Sequence, residues 1–527
     1  MLFLLPVILF SLTALGVVGL RLRVTRMAYI WLIITLVVSI SWIIFMILPV
    51  STISTAFTLQ WMTLPDSVVQ LQFGLIPMTW GFTLLLISLA LGYFLTLPVW
   101  LENEKRSLLW IAWLIALTFA FLFIAARNLV SLIIAWTFLD LLDLVFSFFV
   151  LRSDTLELPL IPVFLPRIFS TLILVIATVT SSNGGLFPVD SNNLTIAILV
   201  FLAGFLRSGI FTAERAVDEK GPGKSFSNLL NWLFAISALL LWSQLPDVLF
   251  DPLVNQLLLA LLMILAIIST INFLLRRKNG SKYRLSIIIF LAAVGVLSGE
   301  PKSALSWVAI LITVETLTNF YAKKVGGFPI VPILLIATIS GLPLTSGFFA
   351  LSPFFTNGIN GWGIIGIILY VIFLITIFSQ LLEIQETPQS IEPWYQAVYF
   401  IGLFILLISP FVLIVKGVLP TEDWLPFWWI GAVSVILFTM GILLRNSISK
   451  RAEGKEKRDK EPWIQTLKIA DNLFLKTDRI SEAGRWIGLI LQEFIDLLTK
   501  LLEGEGGVIW AIVLLALLVS LIGTGGA

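Results

Sequence analysis

The sequence predicts an all-α polytopic membrane protein, and three observations support this fold class. About sixteen long apolar segments run through the chain, and a bilayer core of about 30 Å takes about twenty apolar residues per helix. Hydrophobic residues make up 59% of the 527 residues and charged residues only 12%, which leaves too little polar surface to cover a water-soluble globule. A charged amphipathic stretch at 461–503 separates the last apolar segment from the others. We therefore expect about sixteen transmembrane helices, the last of them an anchor that follows an amphipathic lateral helix.

The expected transmembrane helices follow from the lengths of the apolar segments. The first segment has neither a positively charged beginning nor a small-residue cleavage site, so we interpret it as a span and not as a signal peptide. The segment 57–77 is different, because apolar and polar residues alternate around the turn-forming run 64–66 and predict a β-hairpin on the non-cytoplasmic side. Spans are expected at 2–20, 28–48, 78–100, 108–126, 128–150, 163–182, 195–213, 227–245, 254–275, 284–299, 303–322, 328–352, 360–383, 395–415, 425–444 and 507–524.

Basic residues orient these helices, since Lys and Arg collect in cytoplasmic connections. They fall in alternate connections of the expected order, and only Arg127, Lys302 and Lys416 fall on the opposite side. Both termini are therefore expected on the non-cytoplasmic side of the cell's inner (plasma) membrane. The amphipathic stretch is expected on the cytoplasmic face, either as a helix that lies on lipid or as a strap along neighbouring subunits.

Composition excludes several kinds of function. The sequence has no cysteine and no histidine, which removes disulfides, thiolate clusters, the commonest metal ligand and the usual proton shuttle. We therefore expect no cofactor and no metal. The 33 basic and 31 acidic residues nearly balance, so no overall charge attracts nucleic acid. No loop is long enough for a soluble catalytic domain and no nucleophile motif is present, so we expect no catalysis by this chain alone.

Four ionisable residues lie inside expected spans, where charge is costly and is a candidate for function. Asp140 and Asp143 share one face of the fifth helix, Arg207 lies in the seventh and Glu315 in the eleventh. They form either part of an ion path across the membrane or static ion pairs that hold helices together. Arginine keeps its proton at accessible pH, so Arg207 can bias a proton site but cannot relay. Asp140 with Arg207 is the pairing we expect.

Two expected helices contain interruptions. The twelfth contains Gly341, Pro343 and Gly347, and the proline removes a backbone donor while the glycines weaken the turn. The seventh contains Gly204 and Gly209 on either side of the arginine, without a proline. Broken helices inside a bundle usually line a cavity, because their freed backbone groups need partners. A hinge or a close-packing role is the alternative.

Three short patches carry a resemblance to a known family. Within 203–230 the sequence reads Arg207-Ser208, then Asp218-Glu-Lys-Gly-Pro222 and Ser227-Asn-Leu-Leu-Asn231. The run 339–349 reads Ile-Ser-Gly-Leu-Pro-Leu-Thr-Ser-Gly-Phe-Phe, and 128–136 reads Asn-Leu-Val-Ser-Leu-Ile-Ile-Ala-Trp. These patches resemble segments of antiporter-like membrane subunits in the superfamily of respiratory complex I, Mrp antiporters and membrane-bound hydrogenases. The lateral helix and final span resemble the largest of those subunits.

The resemblance implies two inverted five-helix repeats, each with a broken third helix. It also implies partners, namely other membrane-arm subunits of a complex I-like assembly, such as an NADH-quinone oxidoreductase or a hydrogenase. The expected regions are 1–107 with the first spans and the external hairpin, 108–245 and 254–383 as the repeats, 384–448 with additional spans, 449–505 with a linker and the lateral helix, and 506–527 as the anchor.

The chain departs from the family pattern where the family has titratable groups. Thr137 stands in place of the fifth-helix Glu, with Asp140 one turn further along, and Arg207 stands in place of the seventh-helix Lys. Asn231 replaces the eighth-helix His, and Leu351 falls at the Lys after the Gly-Phe-Phe run. A path of exchangeable protons needs groups that titrate, so the resemblance leaves proton translocation in question.

Three functions remain open from the sequence. The first is an energy-coupling subunit that conducts protons or Na⁺ within a redox complex with electron transport. The second is a structural paralogue in such a complex that no longer pumps, which the missing Lys and His favour. The third is an independent secondary transporter, which can also use broken helices and midplane charges. The lateral helix argues against the third, because a lone transporter has no use for a strap.

Overall fold

The computed structural model describes most of the chain up to residue 439. The predicted lateral helix and anchor lie outside the described residues, and so does Pro343. The helices belong to one compact unit within Met1–Thr63 and Val68–Leu443. The described residues are 4–21, 27–48, 57–64, 67–97, 107–150, 160–181, 186–189, 194–211, 223–275, 281–320, 334, 337–342, 344–355, 361–383, 392–419, 429, 431–433, 435–436 and 439.

The described chain is built of helices, apart from one short hairpin. Six helices of this part, namely α2, α3, α5, α9, α13 and α14, are long and apolar enough to cross a membrane. The predicted all-α, multi-pass membrane fold is confirmed. The helices are α1 (Leu5–Arg21), α2 (Met27–Ile47), α3 (Pro77–Thr96), α4 (Ser107–Ala125), α5 (Leu129–Val150), α6 (Leu160–Thr180), α7 (Leu194–Arg207), α8 (Gly223–Trp242), α9 (Pro252–Leu275), α10 (Ser281–Leu297), α11 (Ala304–Phe320), α12 (Ser346–Leu351), α13 (Gly361–Glu383) and α14 (Pro393–Val415).

The predicted hairpin is present as β1 (Phe57–Leu64) and β2 (Ser67–Phe73), which pair in a two-stranded sheet. Short backbone bridges join Phe73 to Ala126 and Asn128 to Leu186. The side-chain amide of Asn128 also donates to the carbonyl of Gln70 at 2.7 Å. The connections before α3, before α5 and before α7 therefore gather at one end of the helices.

Helix α3 is the centre of the unit, because it is buried along nearly its whole length. It packs against α14 at glycines. A Cβ at Gly92 would meet the side chain of Leu406 at 2.5 Å, and one at Gly402 would meet Cβ of Leu95 at 2.8 Å. Small residues let helix backbones approach closely. Such close packing matters in a membrane, because no hydrophobic effect drives the helices together there. Large apolar side chains cover the outward faces of α1, α2, α6 and α9.

Within the described residues, turns with a positive φ follow two helical segments. Helix α7 ends at Arg207, and Gly209 follows with a φ of 83°. The second interruption follows a helical piece at 337–339, with φ values of 76° at Gly341 and 64° at Leu344 before α12 begins. The first break lies in the fourth helix of the expected region 108–245. The expectation of a broken third helix was wrong in both regions, since α6 runs without a break through its internal proline and α11, the third helix of 254–383, is also continuous.

Candidate functional site

An ion pair joins the middle of α5 to the end of α7. Nη1 of Arg207 donates to Oδ2 of Asp140 at 2.6 Å, and Nη2 donates to the carbonyl of Trp136 at 3.3 Å. The arginine is fully buried, whereas the Asp140 side chain is 21% exposed. Arg207 is the last residue of α7. The expected pairing of these two residues is present.

A second ion pair lies one turn further along α5. Nη1 of Arg167, on α6, donates to Oδ2 of Asp143 at 2.5 Å, and both side chains are buried. Our sequence reasoning missed Arg167. Its signal was the same as that of Arg207, a basic residue inside an expected apolar span.

One aromatic ring connects the two pairs. The guanidinium carbon of Arg167 lies 3.5 Å from the ring centroid of Phe234, on α8, and that of Arg207 lies 4.9 Å from it. The two cations are therefore at most 8.4 Å apart, the sum of these distances. At an effective dielectric constant of about 20 they repel each other by about 2 kcal/mol or more, so each needs its carboxylate. The face of an aromatic ring adds further attraction for both cations.

The third ion pair lies near the ends of two antiparallel helices. Arg284, in the first turn of α10, binds Glu315 of α11 through two hydrogen bonds, Nε to Oε1 at 3.0 Å and Nη2 to Oε2 at 3.2 Å. Arg284 is the first residue of an expected span, and α10 begins three residues earlier, at Ser281. The two-pronged geometry is the strongest form of a carboxylate–guanidinium contact.

Amide side chains extend this third pair across neighbouring helices. Arg284 donates to Oε1 of Gln380 on α13 at 3.5 Å. Asn319 donates to Oε2 of Glu315 at 3.4 Å and accepts from Asn228 of α8 at 3.3 Å. A polar network therefore links four helices, with one charged pair at its centre.

Hydroxyl groups, not charges, satisfy the carbonyls freed at the second break. Tyr370 of α13 donates to the carbonyl of Ile339 at 2.5 Å, and Ser346 donates to the carbonyl of Thr338 at 3.0 Å. Thr345 caps α12 by accepting from the backbone N–H of Phe348 at 3.3 Å. Gly347 lies so close to the preceding segment that a Cβ there would clash with backbone atoms of Ile339.

The three substituted positions bring no titratable group into the interior. Thr137 lies on the exposed face of α5 and donates to the carbonyl of Ile133 at 2.8 Å. Asn231 is half-buried on α8, and Leu351 is fully buried at the end of α12. Among the residues that the structure describes, no group of three or more acidic side chains could hold a metal ion.

These contacts define what the interior can do chemically. Arginine does not release its proton, so the carboxyl groups of Asp140, Asp143 and Glu315 are the groups there that can take up a cation. All three have an arginine partner. Asp140 is the most accessible of them, with its side chain 21% exposed against 0% and 3%.

Comparisons with known proteins agree on the fold. No protein-family model and no curated protein matches the sequence. A chain of the Mrp complex from Dietzia sp. DQ12-45-1b is similar over 100% of this chain and 63% of its own length, with a TM-score of 0.62 and 15% identity. A chain of the membrane-bound sulfane sulfur reductase, an archaeal respiratory membrane complex, is similar over 98% of this chain and 99% of its own, with a TM-score of 0.62 and 13% identity. The chain thus spans less than two thirds of the Mrp chain, and it has the fold that its sequence motifs implied.

Proposed function

We propose that this chain is an antiporter-like membrane-arm subunit of a complex I-type, redox-driven assembly that translocates protons or Na⁺. The observation that carries the proposal is the Asp140–Arg207 pair, which lies in the interior at the point where α7 breaks. A fold shared over nearly the whole chain with chains of two membrane complexes supports it. In this proposal the partners are other membrane-arm subunits, and the chain sits in the plasma membrane with both termini on the non-cytoplasmic side.

The geometry gives Asp140, Arg207 and the turn after α7 each a role in this function. Asp140 takes up the ion, because its side chain is partly accessible. Arg207 holds a fixed positive charge beside it, so that an arriving cation and the guanidinium compete for one carboxylate. The unwound turn after α7 supplies backbone groups that a moving ion can use without breaking a helix.

A second candidate is a structural subunit of the same kind of complex that no longer conducts ions. The pairing of all three interior carboxylates with arginine favours it, because a static ion pair also explains their burial. The leucine at position 351 and the asparagine at 231 point the same way, since neither titrates.

Two measurements test the proposal. Mass spectrometry of the proteins that co-purify with the chain in mild detergent from native membranes tests the assembly, and recovery without other membrane subunits contradicts it. Ion uptake by native membrane vesicles tests conduction. Asp140→Asn is expected to abolish coupled uptake, whereas Asp247→Asn, which changes an exposed carboxylate after α8, is the matched control. Unchanged uptake with Asp140→Asn leaves the non-conducting subunit as the function.

A further inference from the structure

Phe234 occupies a position that the ion pairs alone do not explain. It is fully buried on α8. The guanidinium groups of Arg167 and Arg207 both lie within 4.9 Å of its ring centroid. Arg167 also lies 5.5 Å from the ring centroid of Phe164, and Arg207 lies 4.5 Å from that of Trp136. Phe234 is the ring that both arginines share.

The two aspartates alone do not determine which arginine each of them binds. Asp140 and Asp143 are three residues apart on one helix, so their side chains start about 5–6 Å from each other. The two arginines come from different helices and approach the same face of α5. Since both guanidinium groups contact one ring, a displacement of either changes the position or the field of the ring that the other contacts.

We propose that Phe234 is a positioning residue that couples the two ion pairs, so that a change of charge at Asp140 is transmitted through Arg207 and the ring to Arg167 and Asp143. The inference rests on the proposed function, in which Asp140 is the carboxylate that an ion reaches. The exposure of the two pairs gives the coupling its direction. The Asp140–Arg207 pair is partly accessible, whereas the Asp143–Arg167 pair is buried. The buried pair therefore receives the change of charge through its neighbours.

The test places a single fluorine on the ring. The full chain, purified with its native partners, carries 4-fluorophenylalanine at position 234, and its ¹⁹F resonance is recorded. Asp140→Asn and Asp143→Asn are each expected to shift the resonance, and the shift of the double variant is expected to differ from the sum of the two. Asp247→Asn, far from the ring in an exposed connection, is expected to leave the resonance in place. Additive shifts, or a resonance that responds to only one aspartate, overturn the proposal.

A second variant covers the case in which Asp143→Asn does not fold. A 3,4,5-trifluorophenylalanine at position 234 keeps nearly the shape of the ring and weakens its attraction for cations. We expect ion uptake by vesicles to fall about tenfold with this ring and equally with Phe234→Leu, because both lose the cation–π contact. Full uptake with the trifluorinated ring shows that Phe234 only fills space. If the chain conducts no ions at all, the proposed function fails, but the ¹⁹F shifts still decide whether the two pairs are coupled.

Discussion

The two charged regions of the molecule stabilise their buried charges in different ways. Around α5 to α8, two buried ion pairs share an aromatic ring at mid-helix depth, beside the broken end of α7. Around α10, α11 and α13, one two-pronged ion pair lies near helix ends and is surrounded by amides, while the nearby break is satisfied by hydroxyl groups. The first region therefore keeps charges that depend on each other, and the second keeps one charge pair that neutral partners support. The contrast indicates that removing a charge should cost more in the first region.

The largest effect is expected from Arg167→Met. It leaves Asp143 fully buried without its arginine, and breaking a buried pair in this way costs about 3–5 kcal/mol. Thermal unfolding in detergent measures the loss. The double variant Arg167→Met/Asp143→Leu is expected to recover most of it, because no uncompensated charge remains. A double variant as unstable as the single one contradicts the role given to charge here.

Glu315→Gln is expected to cost less, about 1.5–3 kcal/mol, the range for hydrogen bonds to charged groups. Glutamine keeps one acceptor for Arg284, and Gln380 accepts from the same guanidinium. Thermal unfolding in detergent measures this loss of stability as well. A loss as large as that of Arg167→Met would remove the distinction between the two regions.

The two breaks should respond differently to a methyl group. At Gly347 an added Cβ meets backbone atoms of Ile339 and Gly341, which cannot move independently, so Gly347→Ala is expected to cost about 1–3 kcal/mol. At Gly209 a Cβ would meet its nearest neighbour, Leu285, at the ordinary contact distance of 3.6 Å, so the positive φ is what opposes alanine, at about 1–2 kcal/mol. Equal losses at the two positions would contradict this distinction between close contact at Gly347 and backbone conformation at Gly209.

The smallest effect is expected from Thr345→Ala, which removes the cap of α12. Loss of such a cap costs about 1 kcal/mol. Thr345→Ser keeps the hydroxyl and is the control, with stability close to that of the natural chain. Equal stability of the alanine and serine variants shows that the cap contributes nothing measurable.

The sequence by itself determined the membrane fold and the hairpin. Lipid requires that each spanning segment satisfies its backbone internally, so apolar length is enough to locate helices, and alternation with turn residues is enough to locate 57–73. The breaks near Gly209 and Gly341 were also readable, because glycine at the right place permits a positive φ. The residues Asp140, Asp143, Arg207 and Glu315 were found because charge inside an apolar segment stands out.

The pairing of Asp140 with Arg207 was expected from the sequence, whereas only the tertiary structure decided the partners of Asp143 and Glu315 and the distances within all three pairs. The apolar sequence around Arg207 indicates that burying its charge costs free energy. The distance from Arg207 to Asp140, however, depends on how α5 and α7 pack. The sequence placed Arg284 at the edge of an expected span, and only the packing of α10 against α11 placed it opposite Glu315. Phe234 gave no signal at all, because a phenylalanine in an apolar helix is ordinary and its contact with two cations depends on side chains from two other helices, α6 and α7. Local physics fixes each helix, whereas electrostatic pairing depends on distances between helices that no single segment encodes.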